Sequence, residues 1–261
     1  MESTHLLGVD IGATGIKGAV VDVKTGELLT ERFRVPTPKP ATPQAIAEAF
    51  NQLVAQFNWK GRPVGVGFPA IVKKGVALSA ANIDKGWIGT NIEALFESAS
   101  GCPVLALNDA DAAGIAEMKF GVGHSQMGVV ILITIGTGLG SAFFLDGRLV
   151  PNTELGHIFF EDQIAEHYAS NTARKKYKLS WKNWGKRFNK YLLHLDRVFS
   201  PDLVILGGGS SKKFDQFKDV ITASCAVKPA EFLNNAGIVG AALYAAPASV
   251  TSLSHISWLN P

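Results

Sequence analysis

The sequence predicts an α/β protein built as two lobes of related topology. Three observations carry this. Short apolar runs alternate with amphipathic stretches of helical period, the pattern of folds in which helices pack on a sheet. The segment GVDIGATGIKGAVVDVKTG (8–26) is echoed by LITIGTGLGSAFFLDG (132–147). Each copy is a strand, a glycine turn opening Ile-Gly, a second strand, and a turn containing Asp or Gly, as expected of a duplicated unit. A chain of 261 residues, 47% hydrophobic and 18% charged, supplies enough core for one large domain or two smaller ones. The expected division is a small first lobe over 1–108, joined by the C-terminal 247–261, and a larger second lobe over 109–246.

Taken in order, HLLGVDIG (5–12) reads as a strand ending in a glycine turn, and IKGAVVDV (16–23) as its partner, closed by KTGE. LLTERFRVPT (28–37) reads as a third strand. A proline-punctuated connection leads to Thr42, an N-cap with Pro43 at the first helical position. Ile46, Phe50, Leu53, Val54 and Phe57 then recur at helical spacing. VGVGFPAIV (64–72) is a buried strand, NIEALFESAS (91–100) a helix, and PVLALND (103–109) another strand. ADAAGIAEMKFG (110–121) is a helix begun by Asp109 and Asp111. PDLVILGGGSS (201–211) adds a strand with a third glycine site.

Glycine lets backbone N–H groups approach an anion with no Cβ in the way. Either hairpin alone is equally well a plain tight turn. The first also carries Asp10, Thr14 and Lys17, which offer a hard oxygen for hydrated Mg²⁺, a hydroxyl and a phosphate-seeking charge. Two such hairpins facing one another across a cleft would hold a polyphosphate. There is no GxxxxGK[ST] pattern, which excludes a P-loop, and no protein-kinase signature set.

Cys102 and Cys225 stand in unrelated contexts, read as reduced packing thiols of a cytoplasmic protein. The N-terminus has no positive region followed by an apolar one, so no signal peptide is expected. The longest apolar run, VVILITI (129–135), is far short of a membrane span.

Charge is concentrated. ARKKYKLSWKNWGKRFNKYL (173–192) holds Arg174, Lys175, Lys176, Lys178, Lys182, Lys186, Arg187 and Lys190, and the chain's +3 depends on this one segment. No Asp or Glu lies between Glu166 and Asp196. Residues 180–199 read as a helix capped by Ser180, with Trp181, Trp184, Phe188, Tyr191, Leu192, Leu195 and Phe199 on its inward face. Lys182, Lys186 and Lys190 recur at i, i+4, i+8, where like charges repel. A solvated face is one reading of such a row. An extended anion is the other: nucleic acid, a membrane surface, or a linear polyphosphate.

DIGATGIKGAVVD, LNDADAAGIAE, TIGTGLGSAFFLDG, ELGH and LGGG occur here in the order found in the ROK family of sugar kinases and repressors, which the chain resembles from about residue 7 to about residue 246. The resemblance implies an actin-like, ribonuclease-H-like duplicated fold, two lobes with a cleft between. ROK repressors carry an extra N-terminal helix-turn-helix; here the phosphate motif begins at once, so the kinase branch is expected. By position, Asp109 becomes the general base, and Asn108, Glu154, His157 and Glu166 (the last in AEHYAS, 165–170) bind the sugar. Asn82 is a further sugar-contact candidate, and GFPA (67–70) lines the same pocket. Gly12, Thr14, Lys17, Thr137 and Gly138 cradle the phosphates, and Gly207, Gly208 and Gly209 approach the nucleotide. A sugar hydroxyl needs a carboxylate to take its proton as the new bond forms, which agrees with Asp109; taken alone, an Asp there is more often a helix cap.

Many ROK proteins follow the GH pair with a cysteine cluster that binds zinc. GHIFFEDQIAEHYAS has none, so no structural zinc is expected. The missing cluster and the helix SWxxWxKRxNxYL resemble the polyphosphate-using glucokinases of that family. That resemblance implies glucose or mannose as acceptor, inorganic polyphosphate or ATP as donor, and Mg²⁺ as cofactor. It leaves no role for nucleic acid or membrane, and either a monomer or a homodimer. Lys182, Lys186, Arg187 and Lys190 become the polyphosphate-binding wall. The competing expectation is a catalytically silent sugar sensor or anion-binding protein.

Overall fold

The computed structural model describes residues 4–81 and 83–247. The chain folds as two compact units. The first runs to Ala116 and resumes at Asn235; the second is Glu117–Asn234.

In the first unit, β1 (His5–Gly12) and β2 (Gly15–Asp22) form the expected hairpin, with β3 (Phe33–Pro36) beyond it. The expected strand 28–37 shrinks to these four residues, with Leu28 making an isolated bridge to Val21. Helix α1 (Pro43–Gln56) starts as expected, the Thr42 hydroxyl accepting from the Ala45 amide at 3.4 Å. Next come β4 (Val64–Phe68), a small hairpin of β5 (Val72–Lys73) and β6 (Val76–Ala77), α2 (Ile92–Ser100) and β7 (Val104–Asn108). Strand β7 runs directly into α3 (Asp109–Phe120). The sheet order is β3-β2-β1-β4-β7, with β1, β4 and β7 parallel.

Side chains alternate across a strand, and the sequence uses this alternation fully. Leu7, Val9, Ile11, Val64, Val66 and Phe68 enter one core with Ile46, Phe50, Leu53 and Phe96 of α1 and α2. The alternate positions Gly8, Gly65 and Gly67 face the other way.

In the second unit, β8 (Val129–Ile135), β9 (Leu139–Leu145) and β10 (Arg148–Val150) are an antiparallel meander. A short hairpin of β11 (Phe159–Phe160) and β12 (Gln163–Ile164) leads to α4 (Ala165–Ala169), α5 (Asn171–Lys176) and α6 (Trp181–Phe199). Strands β13 (Leu203–Gly207) and β14 (Ala226–Pro229) complete the sheet β10-β9-β8-β13-β14, both pairing in parallel from β8 outward. The echo seen in the sequence is therefore an echo of topology: an antiparallel meander of three strands, then two parallel additions, in each unit. Helix α6 is capped by the Ser180 hydroxyl as expected. Its Trp184, Phe188, Tyr191, Leu192 and Leu195 are buried with Ile131, Ile133 and Leu206 of the sheet.

The division differs from the expected one in two places. It passes through α3, eight residues beyond Asn108, because α3 continues β7 without a break. The last helix, α7 (Ala236–Tyr244), belongs to the first unit rather than the second. It is apolar all round and buried over most of its length. A Cβ at Gly8 would collide with the carbonyl of Ile238, and one at Gly65 with that of Ala241. Only glycine lets this helix lie directly on β1 and β4. The proposed joining of 247–261 to the first lobe, including Trp258, lies almost wholly outside the described residues.

Candidate active site

In the first unit the carboxyl ends of three parallel strands converge, the usual site for ligands on such sheets. The end of β1 carries Asp10 and the turn Gly12–Gly15; β4 ends at Phe68 before Pro69; β7 ends at Asn108 before Asp109. Asp10 is in register with Gly67 of β4, and Gly237 of α7 packs against its carboxylate. Lys17, cross-strand from Asp10, pairs with it at 3.4 Å. Burial raises the Asp10 carboxyl above its ordinary 3.8, and the charges of Lys17 and Arg32 pull it back. Thr14 is exposed at the tip of the turn. A pocket of about 340 Å³ opens beside it, bordered by Gly12, Ala13, Thr37, Pro38, Pro69 and Asp84. Pro69 of GFPA thus lines a pocket, and it is the one next to the glycine turn. Asn82 lies outside the described residues.

The structure gives Asn108 a task beside the one expected. It is buried, and its side-chain oxygen accepts from the amides of Ala110 (2.9 Å) and Asp111 (3.1 Å). Its Nδ2 donates to the Ala70 carbonyl at 3.0 Å. Asn108 is the N-cap of α3, which leaves a sugar at most one amide N–H. The capping duty weighed for Asp109 is thereby filled by its neighbour. Asp109 occupies the first helical position, half-buried, one oxygen accepting from the Ala110 amide at 2.8 Å.

In the second unit the glycine turn between β8 and β9 holds Thr137 and Gly138. Glu166, at the start of α4, accepts from the Leu139 amide at 3.3 Å and so is fixed to that turn. His157 Nδ1 lies 2.8 Å from Glu154, and its Nε2 lies 3.8 Å from Glu166. The three expected sugar ligands of this unit therefore form one acid–imidazole–acid cluster, partly open to solvent. Sequence reasoning missed its support: buried Ser141 donates to the Thr153 carbonyl and accepts from the Leu155 amide, fastening the 153–155 loop to β9. Gly207, Gly208 and Gly209 follow β13. A Cβ at Gly208, where φ is +74°, would press on the Ile135 backbone at the base of the same turn, whereas one at Gly209 would point into open space.

On α6, Lys182, Lys186 and Lys190 are exposed. The row is not wholly unrelieved by acid, because Lys190 pairs with Glu161 at 3.4 Å. Arg187 departs from the row. Its guanidinium lies over the rings of Tyr168 (4.8 Å) and Tyr177 (4.5 Å), with Nη1 buried. Its neighbours are aromatic faces, which suit a cation held in the fold. Among the described residues, no group of three or more His, Cys, Asp or Glu is arranged to hold a metal ion, and no helix is long and apolar enough to cross a membrane.

Two sheets of one topology, each with a glycine turn after its first strand, define an actin-like, ribonuclease-H-like duplicated protein. The family model of the ROK family matches residues 6–173. The polyphosphate glucokinase of Mycobacterium tuberculosis (strain H37Rv) is 42% identical over 252 residues, 96% of this chain and 93% of that one. Among solved structures, the inorganic polyphosphate/ATP-glucomannokinase of Arthrobacter sp. strain KM is 49% identical with a TM-score of 0.89, covering 93% of this chain and 98% of that one. A ROK family glucokinase from Streptomyces griseus, in complex with glucose and AMPPNP, is 28% identical with a TM-score of 0.80, covering 92% and 99%. The chain belongs to the ROK family.

Proposed function

We propose that this protein is a hexose kinase that transfers the terminal phosphate of inorganic polyphosphate or ATP to the 6-hydroxyl of glucose, and of its epimer mannose. The observation that carries the reading is the grouping of Asp10, the Gly12–Gly15 turn and Asp109 at the carboxyl ends of β1, β4 and β7. This is an anion cradle and a carboxylate base within one unit.

Asp109 takes the proton of the 6-hydroxyl as its oxygen bonds to the terminal phosphorus and the bond to the bridging oxygen breaks. The products are the hexose 6-phosphate and ADP, or a polyphosphate one unit shorter. With Asn108 acting as cap, Asp109 is held by a helix start rather than by a loop, which fixes the base before substrate arrives. Glu154, His157 and Glu166 hold the ring hydroxyls, for which two carboxylates and an imidazole supply acceptors and a donor. The turns at Gly12–Lys17 and Thr137–Gly138 receive the phosphates, with Gly207–Gly209 beside the nucleotide when ATP is the donor.

The residues present fit Mg²⁺ of the kind that rides on phosphates. Mg²⁺ keeps several waters and needs only one or two protein carboxylates, and Asp10 is a single carboxylate beside the turn. Bound there through water, the ion would neutralise charge on the phosphates.

Lys182 and Lys186, with Lys190, make the wall along which a long donor lies; Arg187 supports that wall from within. Purified Asp109→Ala enzyme, assayed with glucose, Mg²⁺ and either donor, should lose about 10²–10⁴-fold in kcat. Near-normal turnover rejects the assignment. A wild-type protein that binds glucose but transfers no phosphate favours the silent sensor instead.

A further inference from the structure

Nothing in the sequence singled out Arg34, yet it is built into the first glycine turn. Strand registers place Asp10 opposite Lys17 and Lys17 opposite Arg34, so the three stand in a row across β1, β2 and β3 on one face of the sheet. Arg34 Nη2 donates to the carbonyl of Thr14. A Cβ on Gly15 would overlap Nε of Arg34 and stand 2.8 Å from its Cζ. Glycine at position 15 thus leaves room for the Arg34 guanidinium against the turn, and a larger residue there would push it aside. The Thr37 hydroxyl donates in the same way to the carbonyl of Gly12. Two carbonyls of the turn, those of Gly12 and Thr14, are thus tied by donors from β3 and the loop after it, which lowers their repulsion of an anion beside the exposed Ala13–Thr14 tip.

Charge adds a second argument. Lys17 is paired with Asp10, so the two together bring little net charge to the turn. Arg34 is exposed and forms no ion pair among the described residues. Two cations directly opposite one another on neighbouring strands disfavour the sheet; an anion between them reverses the sign of that effect. A guanidinium has five N–H donors in a rigid fork, and the Thr14 carbonyl takes one.

We propose that Arg34, seated on Gly15, is a ligand of the donor's phosphate chain and supplies the net positive charge of the first phosphate turn. The proposal rests on the reading of that turn as the donor cradle. Its test uses the full chain and inorganic tripolyphosphate, with wild type, Arg34→Gln, Arg34→Lys and Gly15→Ala compared by calorimetry at two salt concentrations and by steady-state kinetics. Loss of one charge-assisted contact predicts Arg34→Gln to weaken tripolyphosphate about tenfold or more and to raise KM for both ATP and polyphosphate. KM for glucose should stay unchanged. Arg34→Lys should recover part of the affinity, and Gly15→Ala should reproduce the loss by displacing the side chain. The salt dependence of binding should be shallower in Arg34→Gln. Wild-type affinity and salt dependence in Arg34→Gln, or equal affinity in Gly15→Ala should Arg34→Gln fail to fold, overturns the proposal. Weakened tripolyphosphate binding in a protein whose wild type phosphorylates no sugar keeps Arg34 as a phosphate ligand and removes the kinase reading. No tripolyphosphate binding by the wild type overturns both.

Discussion

Replacing Asn108 by alanine tests whether this residue serves the helix or the sugar. The side chain is 8% exposed and makes three hydrogen bonds, two as the cap of α3 and one to the Ala70 carbonyl. Alanine at an N-cap costs about 0.5–2 kcal/mol. A buried carbonyl left without its donor adds about 1 kcal/mol or more. The expected loss is about 2–3 kcal/mol, or roughly 4–12 °C in Tm for a chain of this size. Asp109 is in the first turn of the helix so loosened; kcat should fall as well, with KM for glucose little changed. Thermal unfolding followed by circular dichroism, beside steady-state kinetics, reads both. Asn108→Asp is the companion variant: it keeps both caps, loses the donor to Ala70, and sets a second carboxylate beside Asp109. An unchanged Tm with a large rise in KM for glucose would refute the capping argument and return Asn108 to the sugar.

Three further outcomes are expected. Neutralising Lys182, Lys186 and Lys190 together should raise KM for long polyphosphate and leave ATP kinetics nearly intact, and equal losses with both donors reject the wall. In single variants Lys190 should matter least, because Glu161 already screens it. Arg187→Ala should lower stability by about 1–2 kcal/mol through two lost cation–π contacts, measured by urea unfolding, with donor KM values little altered; a shift in polyphosphate KM alone would restore Arg187 to the wall. Asp10 should make stability fall with rising pH. Its carboxyl is raised above 3.8 by burial, so the native state holds the proton more tightly than the unfolded chain. Its contribution is most favourable at low pH and is lost as pH rises through the raised value. Asp10→Asn should therefore melt higher than wild type at neutral pH while losing turnover; a lower Tm there would contradict that sign.

Much of this architecture was legible because the signals were local. The echo of 8–26 at 132–147 reported the repeated meander, since a glycine turn between two apolar strands needs only its own residues to form. Thr42 and Ser180 cap the helices expected of them, and the inward face of α6 followed from a 3.6-residue period. What stayed hidden depends on distant partners. The placement of α7 in the first unit rests on glycines more than 170 residues earlier in the chain (Gly65 beneath Ala241), and no period in a uniformly apolar helix says which sheet will take it. Arg34 and Gly15 are 19 positions apart and meet only through strand register. Arg187 looked like its lysine neighbours because charge is visible in sequence, whereas the tyrosine rings over which it lies are not. Asn108 and Asp109 took their expected roles from motif position, and that the Asn108 oxygen spans the amides of both Ala110 and Asp111 depends on how β7 meets α3.

The return of α7 to β1 and β4 also sets an order of manufacture. A chain emerging from the ribosome presents β1, β4 and β7 early, with one face supplied by α1 and α2, α3 over Gly67 on the other, and the part at Gly8 and Gly65 still bare. The second unit is complete once residue 234 has been made, while the first still waits for the helix at Ala236–Tyr244. The nascent protein must therefore carry an open sheet through the whole synthesis of its other half. A truncation just before α7 would leave that part of the sheet open for good, with Asp10 lacking the Gly237 backbone that packs against its carboxylate. The turn at Gly12–Gly15 is among the first parts made and among the last to be backed by its full structure, so activity should appear only after the final helix is in place.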